Sequence, residues 1–105
     1  MSVGKVWPAE WQEYRDAFTG ARVRQLTSYR GNSNHLYFTQ YGWYDGDSKL
    51  LIGSDRENRT NLFSIDLHTG EITQLTDLAA QPAPYETYLL RVAINPVRPV
   101  AYFGY

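Results

Sequence analysis

Apolar positions along the chain come in short runs or alternate with polar ones. Turn residues interrupt them at close intervals, and no segment sustains a helical period. This pattern predicts an all-β chain with any helix confined to its start. The clearest hairpin runs from His35–Gln40 through a turn at Asp45-Gly46-Asp47 into Lys49–Ser54. A polar turn over Asp55–Arg59 leads to a strand at Thr60–Leu67, and His68-Thr69-Gly70 leads to another at Glu71–Thr76. Four strands in a meander of roughly 40 to 45 residues make one blade of a β-propeller. Blades pack on both faces, so middle strands should be apolar on both sides, as Leu50-Leu51-Ile52 is. Leu50, Leu51, Ile52, Phe63 and Ile65 are the expected core.

An internal echo supports a repeat. Asp16-Ala17-Phe18-Thr19-Gly20 followed by Val23-Arg24-Gln25-Leu26-Thr27 resembles Asp66-Leu67-His68-Thr69-Gly70 followed by Ile72-Thr73-Gln74-Leu75-Thr76, with one extra residue in the first copy. A shared Asp-x-x-Thr-Gly turn and Gln-Leu-Thr strand, about 50 residues apart, read as the outer edge of two successive blades. After a loop at Gln81–Pro84, Tyr88–Ala93 and Val100–Phe103 read as the first two strands of the next blade. The fold class expected is all-β, a partial β-propeller of about two four-stranded antiparallel blades. Residues 1–29 are an N-terminal segment and edge strand, 35–76 the first full blade, and 85–105 the start of the next. Propellers typically close with about 4 to 8 blades. Open blade faces and the strand Ala101–Tyr105 therefore predict self-association, of which a symmetric dimer is the simplest closed form.

Composition narrows the function classes. Ten Lys and Arg against eleven Asp and Glu give a net charge of −1. With no basic block, nucleic acid is not an expected partner. No apolar run approaches a membrane span or a signal-peptide core, so no membrane partner is expected and the location expected is cytoplasmic. The chain has no cysteine, which excludes disulfides and thiolate metal sites. Nine of its residues are Tyr, which suits strands and inter-blade packing and also offers flat faces to sugar rings.

Two histidines are too few for a divalent metal site. His68 lies in a polar turn and reads as solvated. His35 opens the innermost strand, the strand that lines a propeller channel, and is a candidate substrate contact beside the reading of a structural hydrogen bond. Arg56, in the turn between the second and third strands, has the fork geometry to bind a carboxylate. It is the second substrate candidate, set against an ion pair with Asp45, Asp47 or Asp55. Arg22 and Arg24 read as charges guarding an edge strand. Tyr37, Phe38, Tyr41, Trp43 and Tyr44 read as packing between blades, and Asp16 and Asp66 as acceptors for turn N–H groups. No Ser-His-Asp set, phosphate loop or nucleophilic Cys is visible.

The segments His35–Gln40, Gly42-Trp43-Tyr44-Asp45, Leu50–Arg56, Asn61–Leu67 and Thr69–Thr76, continued by Pro96-Val97 and Ala101-Tyr102-Phe103, resemble the first full blade of bacterial oligogalacturonate lyases. Ser54-Asp55-Arg56 through Gln74-Leu75-Thr76 also resembles TolB-like and prolyl oligopeptidase propellers. The His-Leu-Tyr-Phe-Thr and Gly-Trp-Tyr-Asp segments are what single out the lyases. The resemblance implies the N-terminal quarter of a seven-bladed propeller that cleaves pectin-derived oligogalacturonides by β-elimination with manganese as cofactor. It places the family's base and its metal ligands on later blades, so no catalytic and no metal-binding residue is assigned here, and the chain alone is expected to be inactive. The alternative reading is a non-catalytic TolB- or WD40-like propeller segment that binds a protein or glycan.

Overall fold

A computed structural model describes residues 3–35, 41–79, 91–95, 97–98 and 100–104. Its central blade is built around the turn at Asp45-Gly46-Asp47, where all three residues take left-handed backbone, with φ of 54°, 64° and 61°. Asp and Gly are residue types that tolerate this region. The Ser48 backbone N–H and hydroxyl both donate to the Asp45 carbonyl, at 3.2 and 2.6 Å. Strand β5 (Trp43–Tyr44) enters this turn and β6 (Lys49–Ser54) leaves it, while β4 (Ser33–Asn34) pairs with the far end of β6. β7 (Asn61–Asp66) and β8 (Ile72–Gln74) follow in antiparallel order.

The sheet gains a strand that the sequence pattern did not announce. β1 (Val6–Trp7) pairs antiparallel with the outer strand β8, giving the order β1-β8-β7-β6-β4 with β5 also on β6. The start of the chain is therefore extended, and no α-helix occurs among the described residues. The inner strand expected over 35–40 lies mostly outside the described residues, which include its neighbours β4 and β5 and His35 itself.

Side chains of a strand alternate between faces, so β6 and β7 sort their apolar residues into two sets. Leu50 and Ile52 lie opposite Ile65 and Phe63 and form one core cluster with Ile72; Trp7, Leu26, Trp43 and Leu67 pack against it. Leu51 and Leu62 on the other face join Val92, with Tyr44, Leu78 and Ile94 around them. All five residues expected in the core are buried. A blade buried on both faces is the condition a propeller imposes.

Each face is covered by a two-stranded hairpin or the chain beside it. β2 (Gln12–Arg15) and β3 (Arg22–Gln25) pair next to Leu26, and Arg24 donates to the Leu67 carbonyl at 3.4 Å. β9 (Arg91–Ile94) and β10 (Ala101–Gly104) pair on the opposite side, with Val92 and Ile94 seated against Leu51 and Leu62. The echo in the sequence is an echo in hydrogen bonds. Asp16 accepts from the Phe18 and Thr19 N–H groups, as Asp66 does from those of His68 and Thr69. Gln25 donates to the Thr27 carbonyl as Gln74 does to that of Thr76, at 2.8 and 2.7 Å. The chain is thus all-β and a partial propeller. Among the described residues no helix is long and apolar enough to cross a membrane.

Leu51→Ala and Phe63→Ala should each lower stability by about 2–5 kcal/mol, because both leave cavities in tightly buried sites. Urea unfolding checks this, and a loss near zero for both would show that the blade is not the core. Gly20 and Gly70 both have positive φ, 71° and 79°. A Cβ at Gly70 would lie 2.7 Å from the Ala9 Cβ and 2.8 Å from the Trp11 ring, whereas one at Gly20 meets nothing. Gly20→Ala should cost about 1–2 kcal/mol of backbone strain. Gly70→Ala should cost clearly more, and should loosen the N-terminal segment first, which Trp fluorescence would register.

Candidate functional site

The two residues singled out by the sequence follow β4 and β6, and the structure places them very differently. His35 is exposed and follows β4 directly. Its Nε2 approaches Gly42 so closely that a Cβ there would sit 3.6 Å away, with Leu50 and the Leu51 carbonyl nearer still. The buried Gly42 therefore lets the chain beside His35 lie flat on β6. His68 is exposed at its turn, as expected of a solvated residue.

Arg56 opens a short 3-10 turn, Arg56–Asn58, and its side chain is 0% exposed. Its guanidinium forms two hydrogen bonds with the Glu10 carboxylate, Nη1 to Oε2 at 2.5 Å and Nη2 to Oε1 at 2.8 Å. Aromatic rings enclose it: Cζ lies 4.7 Å from the Tyr29 centroid, 5.1 Å from Trp7 and 5.7 Å from Phe63. These distances are within cation–π range. The ion pair weighed from sequence is present, but with Glu10 rather than Asp45, Asp47 or Asp55. Asp55 instead binds Asn32 through both oxygens, at 2.7 and 2.8 Å, and Asp45 lies 3.5 Å from Lys49. Glu10 sits 46 residues from Arg56, too far for any local pattern to pair them.

Nearby links tie the same N-terminal segment down. Lys5 pairs with Glu57 at 2.8 Å, and the Tyr29 hydroxyl accepts the Glu57 N–H. Glu57 and Asn58 hold positive φ of 58° and 61°, which these contacts keep in place. Arg59 pairs with Asp77 at 2.9 Å, while Arg22 and Arg24 both hold Glu13 on an exposed face. The aromatic residues also pack: Trp43 and Tyr44 lie against opposite core clusters, and Tyr44 hydrogen-bonds Ser64 through its hydroxyl. Tyr41 is exposed and donates to Asp47; Tyr37 and Phe38 lie outside the described residues.

The hydrogen bonds from Arg56 hold the Glu10 carboxyl below its ordinary value of 4.5, aided by the Ser28 and Tyr29 backbone. Asp16 and Asp66 are lowered by the N–H groups of their own turns. None of these carboxyls is raised toward neutrality, as a general acid at neutral pH would require. A cavity of about 430 Å³, which neither His35 nor Arg56 lines, lies between the β5–β6 turn and the β9–β10 loop, with Lys49 and Arg98 in its wall. Among the described residues no group of three or more His, Cys, Asp or Glu is placed to hold a metal ion.

Glu10→Gln should cost about 3–5 kcal/mol by leaving a buried guanidinium without its countercharge. Replacing both residues, Glu10→Leu with Arg56→Met, should cost less than Glu10→Gln alone, as urea titrations would show. Because the folded-state pKa of Glu10 is lowered, its contribution is present above 4.5 and lost as pH falls below that value. The acid limb of the stability curve should therefore flatten in Glu10→Gln, and an unchanged limb would remove the pair from this role.

No family model matches the chain. Two curated relatives do: the oligogalacturonide lyase of Pectobacterium atrosepticum and the oligogalacturonate lyase of Dickeya dadantii. Each is 34% identical over 77 residues, covering 73% of this chain and 20% of the relative. An oligogalacturonate lyase structure in complex with manganese superposes with a TM-score of 0.81 at 29% identity, over 99% of this chain and 26% of that one. The oligogalacturonate lyase of Vibrio parahaemolyticus gives a TM-score of 0.67 at 26% identity, over 73% of this chain and 20% of its own. The chain thus spans about a fifth of the length of the curated relatives it matches. Sequence relatives and solved structures name one family, the oligogalacturonate lyases, and this chain matches a portion of that family's propeller.

Proposed function

We propose that this chain is the N-terminal portion of an oligogalacturonate lyase that cleaves pectin-derived oligogalacturonides by β-elimination in the cytoplasm. The observation that carries the reading is the superposition, over 99% of the chain, on a lyase solved with manganese. In such a reaction a base takes the proton on the carbon next to a uronate carboxylate, and the glycosidic oxygen departs as the double bond forms. The proton is acidic enough only when charge on the carboxylate is stabilised. The described residues do not offer a donor set that fits manganese. Base and metal ligands belong, in this reading, to blades beyond the three parts 1–29, 35–76 and 85–105.

Of the two candidates, His35 is the residue we assign to substrate, since it is exposed directly after β4. A uronate role for Arg56 would require its guanidinium to leave Glu10. The isolated chain is also read as self-associating, because Tyr102, Phe103, Val100 and Tyr14 are exposed on its two hairpins and beside them.

The purified chain, incubated with galacturonide oligomers and manganese, should yield no unsaturated product by ultraviolet absorbance. Metal-dependent turnover would overturn the assignment of the catalytic groups to other blades. His35→Ala should reduce galacturonide-induced NMR shifts around Gly42 and Trp43, while Arg56→Lys should alter stability more than those shifts.

A further inference from the structure

The end of β6 and the turn after it, Ser54-Asp55-Arg56, hold two different segments of the chain. Arg56 takes Glu10, whereas Asp55 takes Asn32, the residue just before β4. The Asn32 backbone N–H donates to Asp55 Oδ1 at 2.7 Å and its Nδ2 donates to Oδ2 at 2.8 Å, while the Asp55 backbone N–H donates to the Asn32 carbonyl at 3.1 Å. A carboxylate acceptor makes the first two bonds charge-assisted, and so stronger than bonds between neutral groups. Gly31 permits the approach. A Cβ there would lie 2.2 Å from Asp55 Oδ1 and 2.8 Å from the Tyr29 ring, so any other residue would push the carboxylate away.

This clamp matters because the strand it opens is short. β4 is Ser33–Asn34, and its register on β6 rests on two positions, Ser33 opposite Ser54 and Asn34 opposite Gly53. The Asn32–Asp55 pair adds a rung directly before them, and His35 comes directly after. A slip of one residue would reverse the face to which each side chain of β4 points. It would also take His35 away from Gly42, where its Nε2 lies 3.6 Å from the position of a Cβ. Ladder pairing over two residues specifies register weakly, and the carboxylate adds the missing selectivity. A slip would put Gly31 or Ser33 opposite Asp55, and neither has the side-chain amide that Asn32 offers.

We propose that Asp55 is a positioning residue for the substrate contact: it fixes the register of β4 through Asn32 and thereby sets where His35 stands beside Gly42. This rests on the assignment of His35 to the galacturonide and supplies what holds that residue in place. Asp55 itself touches no substrate. Two adjacent residues thus do separate work, Arg56 seating the segment before the blade and Asp55 setting the site residue.

Nuclear Overhauser contacts between the His35 ring and the Gly42 Hα read the position without any ligand. In Asp55→Ala they should fall severalfold, while Ile65 and Ile72 methyl shifts and far-ultraviolet ellipticity stay as in the unaltered chain. Galacturonide oligomers, titrated against the Gly42 and Trp43 amide shifts, should bind severalfold more weakly. Asn32→Asp combined with Asp55→Asn exchanges the amide and the carboxylate, so that residue 55 still accepts from the backbone N–H and now donates to the side chain of residue 32. Both the ring contacts and the affinity should return toward those of the unaltered chain. Asn32→Ala removes the side-chain bond alone and should move both readouts in the same direction as Asp55→Ala, so that a misfolded Asp55→Ala does not decide the question. Unchanged His35–Gly42 contacts in the two alanine variants would overturn the positioning role, whatever the ligand does. A folded exchange variant without restored contacts would overturn the hydrogen bonds as its cause. Lost contacts with unchanged galacturonide affinity would overturn the link to substrate. An unaltered chain that gives no galacturonide-induced shifts would overturn the assignment of His35 itself, and with it the purpose given to the clamp.

Discussion

A guanidinium with no exposed surface has to be paired, and the pairing of Arg56 with Glu10 is what attaches the start of the chain to the blade. Arg56 belongs to the turn between β6 and β7, while Glu10, Trp7 and Tyr29 come from the segment before the blade. Those residues cover the cation, and the cation in turn helps to hold them, alongside β1 on β8, Trp7 against the core cluster and Lys5 on Glu57. The leading segment and the blade are thus joined by an ion pair, ring contacts and a strand pairing at once.

The second constraint is that a blade has no solvent face. β6 and β7 send successive residues to opposite sides, and both sides are apolar, so each must find a cover. Here the leading segment covers one and the β9–β10 hairpin the other. His35 follows β4 directly, and its ring lies beside Gly42, which packs closely on β6.

Much of this was legible in the residues. The bounds of β6 were readable because its turn is written in Asp and Gly and its interior in three consecutive aliphatics; β7 and β8 fell within a residue or two for similar reasons. The Asp-x-x-Thr-Gly echo was legible because the Asp side chain does a local job that leaves a local signature. β1 and the Glu10 partnership were not, since two-residue strands have no period to read and an ion pair across 46 residues has no spacing rule. The aspartates nearer in sequence to Arg56 were engaged elsewhere, Asp55 by Asn32 and Asp45 by its own turn and Lys49.

The distribution of tryptophan has an optical consequence. The chain has three, Trp7, Trp11 and Trp43, and all three lie on or beside the Leu50 face or the leading segment that covers it. The Leu51 face has tyrosine but no indole among its described residues. Indole emission therefore watches one side of the blade only: it follows the seating of residues 3–29 and is silent when the β9–β10 hairpin lifts away. A denaturation curve recorded by tryptophan and one recorded by far-ultraviolet ellipticity would part company wherever the two covers come off at different points.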